Sequence, residues 1–217
     1  MPKRMPRFDK LLASHAQSAI AIVRAGEMAH VSGTDAIRKA WSTVRLEALY
    51  ELAYLRVFAA WEMCLEALFY RSLCGYASAA GQEVLVAGRY YPSVAAAESA
   101  VLGTRSYVLW HNPQHVIDRC QTFFRSGVPG CPSAQQSMIA SNFSYLVNLA
   151  SIRHRVVHDQ ADAKRRFDAA TRQIAARTYP SSRPGKFLRD WDTSKSPRQR
   201  WLEVVIAGLI ALLGQIV

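Results

Sequence analysis

Residues Leu46–Cys74, LEALYELAYLRVFAAWEMCLEALFYRSLC, run without proline or glycine up to Gly75. Leu49, Leu52, Ala53, Leu55, Phe58, Ala59, Met63, Leu68 and Phe69 recur mainly three and four positions apart, the spacing that lines one face of an α-helix. Gly75 suits the left-handed residue that ends helices. The stretch is therefore a long core helix. It carries charge at Glu47, Glu51, Arg56, Glu62, Glu66 and Arg71. Glu62 follows Trp61 in a strongly apolar part and either pairs with a cation or stands exposed.

Working outward, a first helix is expected from about Phe8 to Gly26, with Asp9 near its cap and Gly26 as its stop. A second starts at Thr34 or Asp35 and continues through Trp41, Val44 and Leu46. Beyond Gly75, residues 76–110 are broken by Gly81, Gly88, Pro92 and Gly103; they read as an irregular insertion with room for a brief helix at Val94–Leu102. Asn112–Pro113 is a start signal, because Asn caps well and Pro suits the first helical position. Its helix runs towards Gly127, and Gly127–Pro132 is a loop.

The next helix carries Met138, Ile139, Phe143, Leu146, Leu149 and Ile152. Asp159 or Asp162 caps a restart holding Phe167, Ala170 and Ile174. After a loop with Pro180, Pro184 and Gly185, Ser196–Pro197 starts the last helix as Asn112–Pro113 did. No strand alternation of useful length, internal repeat or glycine-rich phosphate loop is found. The expected class is all-α: a helical bundle with a long central helix and a C-terminal core helix, one domain over 1–217, with a basic tail at 1–8.

The chain has 217 residues, half of them hydrophobic, and a formal net charge of +11. That excludes a disordered chain and favours a polyanionic partner, nucleic acid before an anionic membrane. Thirteen Lys and Arg meet five Asp between Arg153 and Arg200, so eight of the eleven surplus charges lie there. Cys64, Cys74, Cys120 and Cys131 lack metal-type pairing and read as reduced, mostly buried thiols of a cytoplasmic protein. No signal core follows the basic start. The apolar run Val204–Gly214 is too short to cross a bilayer, so no membrane association is expected. His111 and His115 are four apart, but Pro113 places His111 before the cap, which weakens a metal reading.

The chemistry concentrates in Ser151–Asp159, SIRHRVVHD, where an apolar helix acquires two arginines and two histidines. His154 and His158 share a helical face, with Asp162 one turn on. Arg153 and His158 are five apart, so Arg153 must lean over the helix to meet a common ligand. Three readings stand. Zinc would need a third ligand that is not apparent, and no Glu follows His154 as in metalloproteases. A structural reading pairs the basic groups with Asp159, Asp162 or Glu62. A phosphodiester reading makes His158 a proton carrier and Arg153 a phosphate clamp, with the RNA 2′-hydroxyl as nucleophile; DNA lacks that hydroxyl.

Arg153-His154-Arg155-Val156-Val157-His158 resembles the Arg-x4-His signature of the HEPN superfamily, in which a polar residue commonly follows the Arg, as His154 does. The setting is similar too: an all-α chain, Ala60-Trp61-Glu62 on a long upstream helix, and one apolar helix after the motif. It is similar to the stand-alone prokaryotic RiboL-PSP-HEPN branch over most of residues 34–217. The resemblance implies a helical bundle, a homodimer with a composite cleft, and cofactor-free RNA cleavage leaving a 2′,3′-cyclic phosphate. It also implies toxin or antiviral-defence biology with an antitoxin or defence-system partner. Arg153, His154 and His158 would then be catalytic, with Glu62 and Asp159 supporting and Arg155, Lys164, Arg165 and Arg166 binding RNA. A non-catalytic RNA- or protein-binding module of the same fold is the alternative.

Overall fold

The computed structural model describes residues 3–79, 81–125 and 133–217. The expected all-α, helical-bundle class holds. Among the described residues there are ten α-helices, and the strands amount to one two-residue hairpin. In chain order these are α1 (Phe8–Ser32), α2 (Asp35–Ala40), α3 (Thr43–Leu73), α4 (Val94–Leu102), α5 (Pro113–Phe123), α6 (Ala134–Ser141), α7 (Phe143–Val157) and α8 (Ala161–Ala175). Then follow α9 (Pro184–Arg189), β1 (Trp191–Asp192), β2 (Gln199–Arg200) and α10 (Trp201–Gly214). The expected loop Gly127–Pro132 and Cys131 lie outside the described residues.

The central helix ends as its sequence requires. Tyr76 N–H reaches the Arg71 carbonyl at 3.1 Å, Gly75 N–H reaches that of Ser72 at 3.1 Å, and Gly75 has φ of 73°. This pair of bonds around a left-handed glycine satisfies carbonyls that the helix end would leave orphaned. The buried face of the helix includes the expected Ala53, Phe58, Leu68 and Phe69 but otherwise departs from the expected one. Leu46, Tyr50, Tyr54, Val57, Trp61, Cys64, Leu65 and Leu68 are buried, whereas Leu52 and Met63 are 63% and 55% exposed.

Two compact units partition the chain: Met1–Leu11, Trp61–Leu146 and Ala211–Val217 in the first, Leu12–Ala60 and Val147–Ile210 in the second. In the first unit, Phe69 is fully buried against Trp110, Phe123 and Phe124, with ring centroids 5.3, 6.0 and 5.0 Å away. Burying such side chains contributes roughly 1.5–3 kcal/mol each. Glu66 Oε1 accepts from Trp110 Nε1 at 2.9 Å and Tyr70 Oη at 3.1 Å. The irregular segment is pinned to this core, since Arg125 N–H donates to Leu85 O and Tyr91 N–H to Leu73 O. Asn112 caps α5 as expected, accepting from Gln114 N–H at 3.0 Å with Pro113 in the first turn. The basic N-terminus pairs in bridge fashion with Ala77.

In the second unit, Phe187 of α9 lies fully buried against Phe167 of α8, Tyr179 and Trp201. Tyr54 Oη donates to the Leu149 carbonyl of α7 at 2.7 Å.

Five local expectations are corrected, the first being the helix expected from Thr34 or Asp35 through Leu46, which is two: α2 ends at Ala40 and α3 starts at Thr43. Gly26 does not stop α1; the helix continues to Ser32, and a Cβ at Gly26 would stand 2.8 Å from Leu49 Cδ2, so the glycine serves close packing. The helix expected from Met138 through the motif is two, broken at Asn142 between α6 and α7. Gln160, not Asp159 or Asp162, is the N-cap of α8, because both aspartates are engaged by basic side chains. Pro197 lies in the β1–β2 connection, and α10 begins at Trp201, where Glu203 accepts from Arg200 N–H at 3.3 Å. A first-turn glutamate reaching back in this way is half of a capping box.

The apolar C-terminal run is core: Leu202, Val205, Ile206, Leu209, Leu212 and Leu213 of α10 are buried. Among the described residues no helix is long and apolar enough to cross a membrane.

Candidate functional site

The motif occupies the end of α7 and its junction with α8, all in the second unit. Apolar residues on one side of α7, Leu149 and Ile152, are fully buried, and this anchors the helix and leaves the polar side half-exposed. His158 is the first residue after α7, yet its N–H still bonds the His154 carbonyl at 2.9 Å. The i,i+4 relation therefore survives, and the two imidazoles sit with ring centroids 4.5 Å apart at 45°.

His154 has its pKa lowered. Partial burial is the main cause, and the nearby positive charges of His158, Arg166 and Arg153 add to it, against an opposing pull from Asp162. Imidazoles this close influence one another electrostatically, and a positive charge at position 158 opposes protonation of His154.

The surrounding charges divide by partner. Asp159 Oδ1 bridges Arg155 at 2.9 Å and Lys164 at 3.1 Å, and these cations, Lys164 first, hold its carboxyl below its usual range. Asp162 takes Arg165 at 3.1 Å and Arg166 Nε at 2.6 Å, with the same effect. Arg155 turns inward: its Nε donates to Ser182 O at 3.0 Å and its Nη1 to His158 O at 3.1 Å. Arg153 is half-buried on α7. Glu62 belongs to the first unit, where its Oε2 lies 3.6 Å from His111 Nδ1.

Arg153, His154 and His158 are thus together at one helix end with Lys164, Arg165 and Arg166 on the following turn. Sequence reading missed Ser182, whose carbonyl holds Arg155 and whose hydroxyl donates to Asp168 at 2.9 Å. Ser181 and Ser182 have φ of 59° and 47°, conformations that non-glycine residues adopt only when neighbours hold them. A signal was present in the Tyr-Pro-Ser-Ser-Arg-Pro run, but nothing in it named the partner. Among the described residues no three His, Cys, Asp or Glu side chains group as metal ligands. Cys64, Cys74 and Cys120 are free thiols, and burial pushes Cys64 up to about 11 and Cys120 up to about 12. Compared with family models, curated proteins and solved structures, the chain matches none.

Proposed function

We propose that the chain is a metal-independent, HEPN-type endoribonuclease, a cytoplasmic effector of toxin or phage-defence biology. The observation that carries this reading is the imidazole pair, 4.5 Å apart at the end of α7 beside Arg153 and the basic first turns of α8. A neutral imidazole takes the proton of a ribose 2′-hydroxyl, and that oxygen attacks the phosphorus. The bond from phosphorus to the 5′-oxygen breaks, and this oxygen leaves with a proton from an imidazolium. The products are a 2′,3′-cyclic phosphate and a 5′-hydroxyl. His158 carries the proton, Arg153 offsets charge on the phosphoryl oxygens, and His154 is the supporting polar group beside them. A second copy of the chain completes the cleft, and an antitoxin or defence partner restrains it.

A non-catalytic RNA- or protein-binding module of the same fold is the second reading, favoured by the surplus of basic residues between Arg153 and Arg200. The test is incubation of the pure protein with unstructured and structured RNA in EDTA, with the termini identified. The ribonuclease reading expects cyclic-phosphate ends and a loss of about 10²–10⁴-fold in rate for His158→Ala and for Arg153→Ala. Salt-sensitive RNA binding without cleavage, unchanged in His158→Ala, would establish the binding module instead.

A further inference from the structure

A cleft in the second unit, about 580 Å³ in volume, is lined by Arg177, Arg183, Lys186, Arg189 and Arg200, with Glu47 and Asp190 the only carboxylates on its wall among the described residues. We infer that it is a second phosphate-binding site, separate from the histidine pair, that takes the backbone of single-stranded RNA. This inference rests on the ribonuclease reading for the identity of the polymer. Its volume lies within the range of ligand clefts, about 300–1,000 Å³.

The arginines are held in place by their neighbours. Arg177 pairs with Asp190, sets its Nε 3.0 Å from Tyr179 Oη and lies over that ring at 5.1 Å. Arg183 pairs with Glu47. Arg189 forks onto Glu27 at 2.7 and 3.1 Å, and Arg200 approaches the same carboxylate at 3.8 Å. Five cations therefore meet three carboxylates, and the ammonium of the exposed Lys186 has no partner among the described residues. Gathering like charges in a concavity costs self-repulsion, which an incoming anion relieves, and concave walls focus that field.

Two further features give the ligand its class. Arg200 lies over the ring of Trp191 at 3.8 Å, and Trp191 is 41% exposed. An aromatic–arginine platform beside a basic groove is how sequence-tolerant single-strand binders hold bases. In addition, Arg155, between His154 and His158 in the motif, bonds the carbonyl of Ser182, the residue before Arg183 on the cleft wall. A strand seated in the cleft is thereby registered against the end of α7.

The test is fluorescence anisotropy of the full chain with a 2′-O-methyl RNA of about 12 nucleotides, which lacks the attacking hydroxyl. Lys186→Glu is expected to weaken binding about tenfold and to lower the slope of log K against log salt by about 0.7 per phosphate lost. Lys10→Glu, an equal charge change at a residue that lines no part of the cleft, should change little. Trp191→Ala should cost about tenfold for the single strand and much less for a duplex of equal length. Equal losses for Lys186→Glu and Lys10→Glu would overturn the cleft, and equal dependence of duplex and single strand on Trp191 would overturn the ligand class. Wild-type cleavage of RNA with undiminished binding by Lys186→Glu sinks the cleft alone. Binding that Lys186→Glu abolishes, in a protein that cuts no RNA, sinks the ribonuclease reading and keeps the cleft.

Discussion

The Arg155 guanidinium holds the Ser182 carbonyl 3.0 Å from its Nε while its other nitrogens take His158 O and Asp159 Oδ1. One side chain thus closes the end of α7 and fixes the turn that precedes α9. The planar fork is what makes three directions reachable at once.

Arg155→Ala leaves two backbone carbonyls without their donor and frees the left-handed Ser182 turn. The expected cost is about 2–4 kcal/mol, from roughly 1–2 kcal/mol for each carbonyl left short of a partner. Arg155→Lys should recover less than half, since an ammonium cannot span the same acceptors. Urea unfolding checks this; a cost below about 0.5 kcal/mol for the alanine variant, the usual range of a surface change, would show that the clasp is dispensable.

Glu51 receives the Gly185 N–H at 2.8 Å, yet burial pushes its carboxyl up, and the neighbouring Glu47 adds to the shift. A carboxyl with a raised folded pKa favours folding below its unfolded value, near 4.3, and loses that contribution as pH rises through the folded value. Glu51→Gln keeps an oxygen for Gly185 and removes the charge. It should leave stability unchanged at pH 4 and raise it at pH 7, by about 2–4 °C in Tm if the relief is near 1 kcal/mol. A lower Tm at pH 7 would show that attraction to Arg155 and Arg183 outweighs the burial cost.

How far the sequence was legible follows from which forces are local. The existence and end of α3 were legible because periodicity and Gly75 act within a few residues. Its phase was legible only in part: apolar residues occur on both faces, and only packing decided that Tyr54 is buried while Leu52 and Met63 face out. The pairing of His154 with His158 needed only the helical repeat. The role of Arg155 needed Ser182, 27 residues on, and no spacing rule reaches that far. Ser196–Pro197 looked like Asn112–Pro113, but only Asn112 supplies the side-chain oxygen that caps a helix there.

Gly26 and Gly185 separate two reasons for a glycine in a helix. A Cβ at Gly185 would collide with the backbone carbonyl of Glu47, which cannot yield without moving α3, whereas at Gly26 the nearest atom is the flexible end of Leu49. Gly185→Ala should therefore cost about 1–3 kcal/mol as overpacking. For Gly26→Ala the gain in helix propensity, about 1 kcal/mol, offsets most of the crowding, so its Tm should stay within about 2 °C of wild type. Thermal melts of the two variants decide it, and equal losses would show that Leu49 is as immobile as the backbone.

The lowered pKa of His154 fixes the sign of one pH effect. Between the folded value and the ordinary one near 6.5, the unfolded chain binds more protons, so stability rises with pH through that window and falls on acidification from about pH 7. Asp159 and Asp162 are lowered from a carboxylate's starting point, so their contribution is lost only as pH falls below about 4. His154→Gln should flatten the Tm profile just below about pH 7 and leave the acid limb in place. His158→Asn removes one of the charges acting on His154, so the window narrows towards 6.5 without vanishing, because partial burial of His154 remains the larger cause. If His158→Asn left the His154 titration unmoved by NMR, the imidazoles would be electrostatically independent despite their adjacency, and burial with the arginines alone would account for the lowered His154 pKa.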